Sequence, residues 1–291
     1  MIRIENLSYV YQPGMPGEYR ALSDINLVIP NGSLTAVIGH TGSGKSTLMQ
    51  QLNGLLQPTS GKIFIDDEDI TSKSADIAKI RRKVGLVFQY PEHQLFEETV
   101  YQDIAFGPKN MGLSDEEIER RVIYAASLTG IDKKYFEKSP FELSGGQKRR
   151  AAIAGILAME PSVLVMDEPT AGLDPGGRDD ILNIIKNLHK KQKEMIIIFV
   201  SHSMEEVAET AENIVVMHDG RIDMSGTAAD IFRKRDRLLQ IGLDIPQITK
   251  LADKLRNAGY NLPEEIYTVK AAVEAITKLS RSLPLQAEDI I

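Results

Sequence analysis

The sequence predicts an α/β protein organised around a phosphate-binding turn, and three observations carry that prediction. The apolar run Leu34-Thr35-Ala36-Val37-Ile38 leads straight into a glycine-rich turn and then into a helical stretch beginning at Ser46. A second apolar run, Val163-Leu164-Val165-Met166, ends on two adjacent acids, Asp167 and Glu168. Two more apolar runs follow, Ile196–Val200 and Ile214–Met217. Runs of this kind, apolar without alternation, are the pattern of strands buried on both faces. Strand, glycine loop, helix is the arrangement that binds phosphate.

Taken in order, residues 1 to about 38 read as a β-rich start, and residues 46–55 as the helix after the glycine turn. Ile63-Phe64-Ile65 and Val84-Gly85-Leu86-Val87-Phe88 are two further strands. From about residue 99 to 160 the chain turns helical. There Ser114-Asp115-Glu116-Glu117 has the pattern of a capping box, and Ile118, Val122, Ala125 and Leu128 share one helical face. The strand at Ile214–Met217 is expected to be the last. Pro246 opens a stretch with Ile248, Leu251, Ala252 and Leu255 at helix spacing, and Thr268 can cap a second helix carrying Val269, Val273, Ile276 and Leu279. Residues 245–291 hold six basic and six acidic side chains. A small appended helical domain over residues 241–291 is expected, after a main unit at 1–240.

Composition narrows the function. The chain has 291 residues, with 34 Lys plus Arg against 41 Asp plus Glu, a net charge of −7. That balance argues against nonspecific nucleic-acid binding and against direct attachment to an anionic membrane. Without cysteine, disulfides, thiolate nucleophiles and Cys-ligated zinc or iron–sulfur sites are excluded. The purest apolar run, Met195–Val200, is far short of the roughly 20 residues of a spanning helix. The first residues lack the basic start and apolar region of a secretory signal. A cytosolic chain is expected, held at a membrane only through another protein.

The glycine turn reads Gly39-His40-Thr41-Gly42-Ser43-Gly44-Lys45-Ser46, with Thr47 following, and fits G-x-x-x-x-G-K-[ST] at every position. Glycines let backbone N–H groups turn inward around phosphates, and the helix that starts here adds its own free N–H groups and positive dipole end. Lys45 is placed to reach the β- and γ-phosphates, and the Ser46 hydroxyl to ligate Mg²⁺. At the end of the later strand, Asp167 is the candidate Mg²⁺ ligand and Glu168 the candidate base that orients attacking water.

Between these motifs stands Leu143-Ser144-Gly145-Gly146-Gln147-Lys148-Arg149-Arg150, with Ser144 placed 24 residues before Glu168. By itself a Ser-Gly-Gly helix cap could be purely structural. In this order it resembles the signature sequence of ATP-binding-cassette (ABC) ATPases. The resemblance implies a P-loop ATPase core with an N-terminal antiparallel β-subdomain, an inserted helical signature subdomain and a small C-terminal helical extension. It implies ATP and Mg²⁺ as ligands. Gln89 then looks like the Q-loop glutamine, a contact to ATP and Mg²⁺. His202 looks like the switch histidine at the γ-phosphate, and Asp174, in Ala171-Gly172-Leu173-Asp174, like the D-loop aspartate. Tyr11 resembles the aromatic residue that stacks on adenine, with Tyr9 as competitor. Tyr11 is favoured because it adjoins the Pro-Gly loop, whereas Tyr9 should lie in the strand.

In this family two cassettes pair head-to-tail, so Ser144, Gly145, Gly146 and Gln147 would complete a partner chain's site. The Q-loop run Val87–Phe96, the segment Asp103–Pro108 and the run Lys148–Gly155 look like the ATPases of energy-coupling-factor (ECF) importers. These work with a second ATPase, a transmembrane coupling protein (T) and substrate-binding membrane proteins (S), taking up vitamins or transition-metal ions. The segment Tyr11–Leu22 with Gly39-His40-Thr41-Gly42 is similar to the second ATPase of the pair. A peripheral place at the cytoplasmic face of the membrane is implied. Phe96 and Phe106 are either apolar floor for the coupling protein or simply core. A homodimeric cobalt or nickel ATPase is the alternative. A soluble ABC protein working on nucleic acid fits poorly, because Lys45 and Asp167 are only 122 residues apart, with no room for a long coiled coil.

Overall fold

Strands without a polar face need cover on both sides, and the fold supplies it with a sheet on one side and helices on the other. The computed structural model describes residues 1–282. The chain runs through β1 (Ile2–Tyr11), β2 (Tyr19–Ile29), β3 (Leu34–Ile38), α1 (Lys45–Leu52), β4 (Ser60–Ile65), β5 (Glu68–Asp69), α2 (Ile77–Lys83) and β6 (Val84–Val87). Three helices follow, α3 (Val100–Asn110), α4 (Asp115–Thr129) and α5 (Gly145–Leu157). Then come β7 (Val163–Asp167), α6 (Pro175–Lys191), β8 (Ile196–Val200), α7 (Met204–Thr210), β9 (Asn213–His218) and β10 (Arg221–Thr227). The described chain closes with α8 (Ala228–Arg233), α9 (Arg235–Gln240), α10 (Gln247–Asn257) and α11 (Val269–Ser282).

Two sheets form. The first is antiparallel, in the order β2-β1-β4-β5; the second has the order β10-β9-β3-β8-β7-β6, parallel except for β10. Alternate residues of the central strands point to two separate cores. On one face Leu34, Ala36, Ile38, Leu164, Met166, Ile197 and Phe199 meet the helical side of the molecule. On the other, Val37, Val163, Val165, Ile196, Ile198 and Val200 meet α1 and the antiparallel sheet. The α/β class with an antiparallel N-terminal sheet is therefore as the resemblance implied.

Several local expectations are revised. The helix after the glycine turn ends at Leu52 rather than continuing to residue 55, because Gly54 takes φ +68°. Ile214–Met217 is not the last strand, since β10 turns back antiparallel beside it. Ser114 does cap α4, accepting from the Glu117 N–H at 3.3 Å. The reciprocal half of the box is not made, because Glu117 spends its carboxylate on Arg120 and Arg121 at 2.7 Å. In α11 the buried residue is Ala272, while Val269 and Val273 face solvent. Thr268 caps this helix as expected, accepting from the Ala271 N–H. Together α10 and α11 enclose a small cluster of Ala252, Leu262, Ile266 and Ala272. Ile241, Leu243 and Ile245, just before α10, belong to the main core instead. Residues 283–291 of the expected C-terminal region lie outside the described residues.

Candidate functional site

Parallel pairing places the chemistry at one end of the second sheet. Val37 and Asp167 both register with Val200 of the intervening strand β8, so the turns after β3, β7 and β8 leave at the same level. Ligands collect at this carboxyl end of such sheets. A cavity of about 560 Å³ opens there, lined by Thr41, Gly42, Gly44, Lys45, Ser46, Thr47, Gln89, Glu168 and His202, with Tyr19 and Ala21 at its side. Residues separated along the sequence by more than half the chain thus share one pocket.

The turn is fixed by its glycines. Gly39 lies against the Met217 carbonyl, where a Cβ would come to 2.4 Å, and Gly44 has φ +97° with a Cβ position 2.6 Å from the Ala21 carbonyl. No side chain fits either place. Lys45 is buried and donates to the carbonyls of Gly39 (2.8 Å) and His40 (2.9 Å). Burial pulls its ammonium below the usual lysine value, with Glu168 and Asp167 acting against that. Ser43 is fully buried with an unpartnered hydroxyl, and Ser46 is exposed to the cavity side.

The carboxylate pair divides its work by environment. Burial pushes the Asp167 carboxyl up, and the Ser46 hydroxyl beside it pulls the other way. Its Oδ1 is buried without a hydrogen-bond partner. A buried, orphaned carboxylate oxygen next to a serine hydroxyl fits a hard divalent cation, and Asp167 with Ser46 would hold Mg²⁺. Glu168 adopts φ +51°, a left-handed conformation that turns its side chain toward the cavity. One oxygen accepts from Gln89 Nε2 at 2.9 Å and the other faces His202 Nε2 at 2.8 Å. Such a clamp holds a carboxylate for work on a water molecule.

The signature lies on a different element. Ser144 caps α5 in a complete capping box, accepting from the Gln147 N–H while Gln147 Oε1 accepts from the Ser144 N–H at 2.9 Å. Gly145 and Gly146 have open space where a Cβ would stand. None of these four residues lines the cavity of this chain. Asp174 caps α6, accepting from the Gly177 N–H at 2.7 Å.

With Tyr9 inside the same strand, Tyr11 closes β1 and so adjoins the Pro-Gly loop as expected. Its hydroxyl reaches Thr47 Oγ1 at 3.2 Å, beside the cavity but not among its lining. Tyr19, which the sequence reading missed, does line it and donates to the Gly42 carbonyl at 3.1 Å. Tyr19 is the cross-strand partner of Tyr11 in the β1–β2 ladder. A hairpin drawn around the Pro-Gly loop would have put the two together.

Arg149 is the other residue whose role the sequence left dark. It is buried on α5 and pairs with Glu92 through two bonds of 2.7 and 2.9 Å. It also donates to the carbonyls of Pro169 and Ala171, just past Glu168. Burial tends to raise the Glu92 carboxyl, but the bonds from Arg149 win and hold it below the usual range. On the far side of α5, Phe96 and Phe106 meet edge-on at 4.9 Å and are both exposed, so neither is core. They line a cavity of about 410 Å³ with Leu95, Phe88, Arg81 and Met159.

A phosphate turn, a buried cation-ready carboxylate, a clamped glutamate and a glycine-capped signature helix define an ATP-binding cassette. The family model for ABC transporters matches residues 22–171. Over 282 residues the chain is 58% identical to the energy-coupling factor transporter ATP-binding protein EcfA2 of Clostridium acetobutylicum, covering 97% of this chain and 98% of that protein. The EcfA2 of Caldanaerobacter subterraneus subsp. tengcongensis is 56% identical, with 96% and 98% covered. Among solved structures, cbiO1 of Clostridium perfringens, part of the ABC transporter complex cbiONQ, superposes with a TM-score of 0.73 at 41% identity, over 87% of this chain and 98% of that one. A dimeric post-hydrolysis state of the cassette MJ0796, bound to ADP and Pi, gives 0.69 at 28% identity, over 78% and 99%. This chain belongs to the ABC transporter family, among the ATP-binding proteins of energy-coupling factor transporters.

Proposed function

We propose that this chain is the ATP-hydrolysing subunit of an ECF-type importer, paired with a second, different ATPase and driving uptake of vitamins or transition-metal ions. It works through a transmembrane T protein and substrate-binding S proteins, and sits peripherally at the cytoplasmic face of the membrane. Residues 1–240 serve as the ATPase unit, with the helical subdomain at about 99–160, and residues 241–291 as an appended helical unit. The observation that carries the proposal is the clamp on Glu168 at the mouth of the phosphate turn, with both of its partners, Gln89 and His202, in place.

Backbone N–H groups of Gly42 to Thr47 receive the phosphates, and Lys45 exchanges its carbonyl partners for phosphate oxygens. Ser46 and Asp167, with Gln89 near, would hold Mg²⁺, which when bound would supply neutralisation of charge on the phosphates. Glu168 orients the attacking water and accepts its proton, while His202 fixes the glutamate and reaches the γ-phosphate. Tyr11 supports the adenine side of the site, with Tyr19 closing the hairpin beside it. Ser144, Gly145, Gly146 and Gln147 act on the partner's nucleotide, with Asp174 at the shared interface. The open space above Gly145 and Gly146 supports that reading, because none of the described residues uses it. The exposed Phe96–Phe106 pair and its cavity would receive helices of the T protein.

The test uses the Glu168→Gln chain, tagged and gently solubilised from native membranes beside the parent. ATP binding should persist while turnover falls by roughly 10²–10⁴. A second ATPase, a T protein and several S proteins should co-purify with both chains. Near-parental turnover would remove Glu168 from its role. Two copies of this chain with one metal-uptake membrane protein would make it a homodimeric cobalt or nickel ATPase.

A further inference from the structure

Parallel pairing of β3 with β9 brings the phosphate turn against the β9–β10 hairpin, and with it three metal-binding side chains that lie far apart in sequence. His40 follows β3, whereas His218 ends β9 and Asp219 follows it. One ligand atom from each lies within 4.8 Å of the others. His40 Nε2 faces Asp219 Oδ1 at 3.4 Å, and His218 Nε2 faces Asp219 Oδ2 at 3.5 Å. The two imidazoles meet edge-on with ring centres 5.1 Å apart. Tetrahedral coordination at the Zn–N and Zn–O lengths typical of proteins places ligand atoms about 3.3 Å from one another. The two histidine–carboxylate separations are close to that, each to a different oxygen of Asp219, and all three groups lie within 4.8 Å.

The hydrogen bonding of His40 leaves one ring nitrogen for this cluster. His40 Nδ1 lies 2.8 Å from the Thr41 carbonyl, which can only accept, so Nδ1 carries the hydrogen. Nε2 is then the ring nitrogen left to engage the Asp219 carboxylate, through a proton or through a metal ion between them. Histidines that bind metals usually donate their second N–H in this way, commonly to a backbone carbonyl.

The surroundings hold the three groups in place. Asp219 and Gly220 both take positive φ, +47° and +71°, as a two-residue hairpin turn of the primed kind requires. The Gly220 N–H donates to the Ser43 carbonyl of the phosphate turn at 3.2 Å, and the Gly220 carbonyl accepts from Ser23 at 2.8 Å. His40 and His218 are each about one-third exposed and Asp219 is open to water, so an ion has a route in.

We infer that His40, His218 and Asp219 form a binding site for a divalent transition-metal ion such as Zn²⁺ or Co²⁺, separate from the Mg²⁺ position at Ser46 and Asp167. Two imidazoles and one carboxylate suit a borderline metal and leave its fourth position to water; Mg²⁺ prefers an all-oxygen shell. The site does not depend on ATP hydrolysis. A bound ion ties the side chain of His40 to the hairpin, and the carbonyl of the same residue is one of the two that accept from Lys45.

The experiment titrates the metal-free full chain with Co²⁺ and with Zn²⁺ in excess Mg²⁺, following the Co²⁺ visible absorption and the heat of Zn²⁺ binding. One equivalent should bind, with the visible band of a low-coordinate Co²⁺ site. His218→Ala and Asp219→Asn should each weaken binding at least about tenfold; asparagine keeps the left-handed turn. His202→Ala, which alters the histidine–carboxylate pair of the phosphate site, should leave the titration unchanged. The inference fails if no stoichiometric binding occurs, if Mg²⁺ displaces the ion, or if His202→Ala abolishes the signal while His218→Ala and Asp219→Asn keep it.

Discussion

Two glycine-bearing helix N-termini in this chain are suited to phosphate, at α1 and at α5, and they are built on opposite terms. At α1 the glycines are demanded by the chain itself: Gly39 and Gly44 press against the backbone of Met217 and Ala21, and Gly44 needs a positive φ. At α5 the fold demands nothing of the kind, since Gly145 and Gly146 are helical and face open space. Among the described residues nothing stands where a Cβ of Gly145 or Gly146 would reach, which leaves room for a group approaching from outside. The difference fits the proposal that α1 belongs to this chain's own nucleotide site and that α5 serves a partner's.

The largest expected effect tests how α5 is tied to the strand end that carries Glu168. Arg149 ties α5 to Glu92 and to the carbonyls after Glu168. In the Arg149→Met variant a half-buried carboxylate and two carbonyls lose their partner. Stability should fall by about 3–5 kcal/mol, read as a lower urea midpoint with unchanged slope. A midpoint equal to the parent's would mean the regions are held together by packing alone.

A matched pair of glycine substitutions comes next. Gly44→Ala should cost about 1–3 kcal/mol, from strain at a positive φ, and lose ATP binding with it. Gly146→Ala should leave the melting temperature level or slightly raised, because alanine favours a helix by up to about 1 kcal/mol. Its turnover in the assembled complex should nevertheless drop. Equal melting losses in both variants would erase the distinction between the two N-termini.

The smallest effect concerns a pH dependence on the helical side. Asp103 on α3 is buried and accepts from the N–H groups of Phe96 and Glu97 at 3.0 and 3.2 Å. Burial raises its carboxyl above the ordinary aspartate value despite those bonds. A raised acid binds its proton more tightly in the folded chain. The folded state therefore loses stability as pH climbs from the ordinary value through the raised one. Asp103→Asn removes that loss, so its melting temperature relative to the parent should improve between pH 4 and pH 7. A gap that stays constant with pH would show that the carboxyl is not displaced in the folded state.

What could be read from sequence follows how local each feature is. The phosphate turn, Asp167–Glu168 and the signature are contiguous, and their flanking apolar runs announce the strands that carry them. Tyr19 was invisible because its place depends on the β1–β2 register, which is irregular near Tyr9 and Val10. Arg149 read as one of three consecutive basic residues, and only the packing of α5 against the Q-loop shows that it is buried. The helix α6 went unread although Asp174-Pro175 is an ordinary start, an N-cap followed by proline at the first turn. His40 and His218 meet through β3–β9 pairing, a contact that no local pattern encodes.

The central strands β3, β7 and β8 carry almost no exposed side chain, and both of their faces are sealed by separate cores. Their amides should open only when the whole molecule unfolds, while the turns hung from their ends can open locally at much lower cost. An ATPase must transmit force at each cycle without loosening its own foundation. Glu168 follows β7 directly and His202 stands two residues beyond β8, so these side chains can be reset repeatedly while their point of suspension stays still.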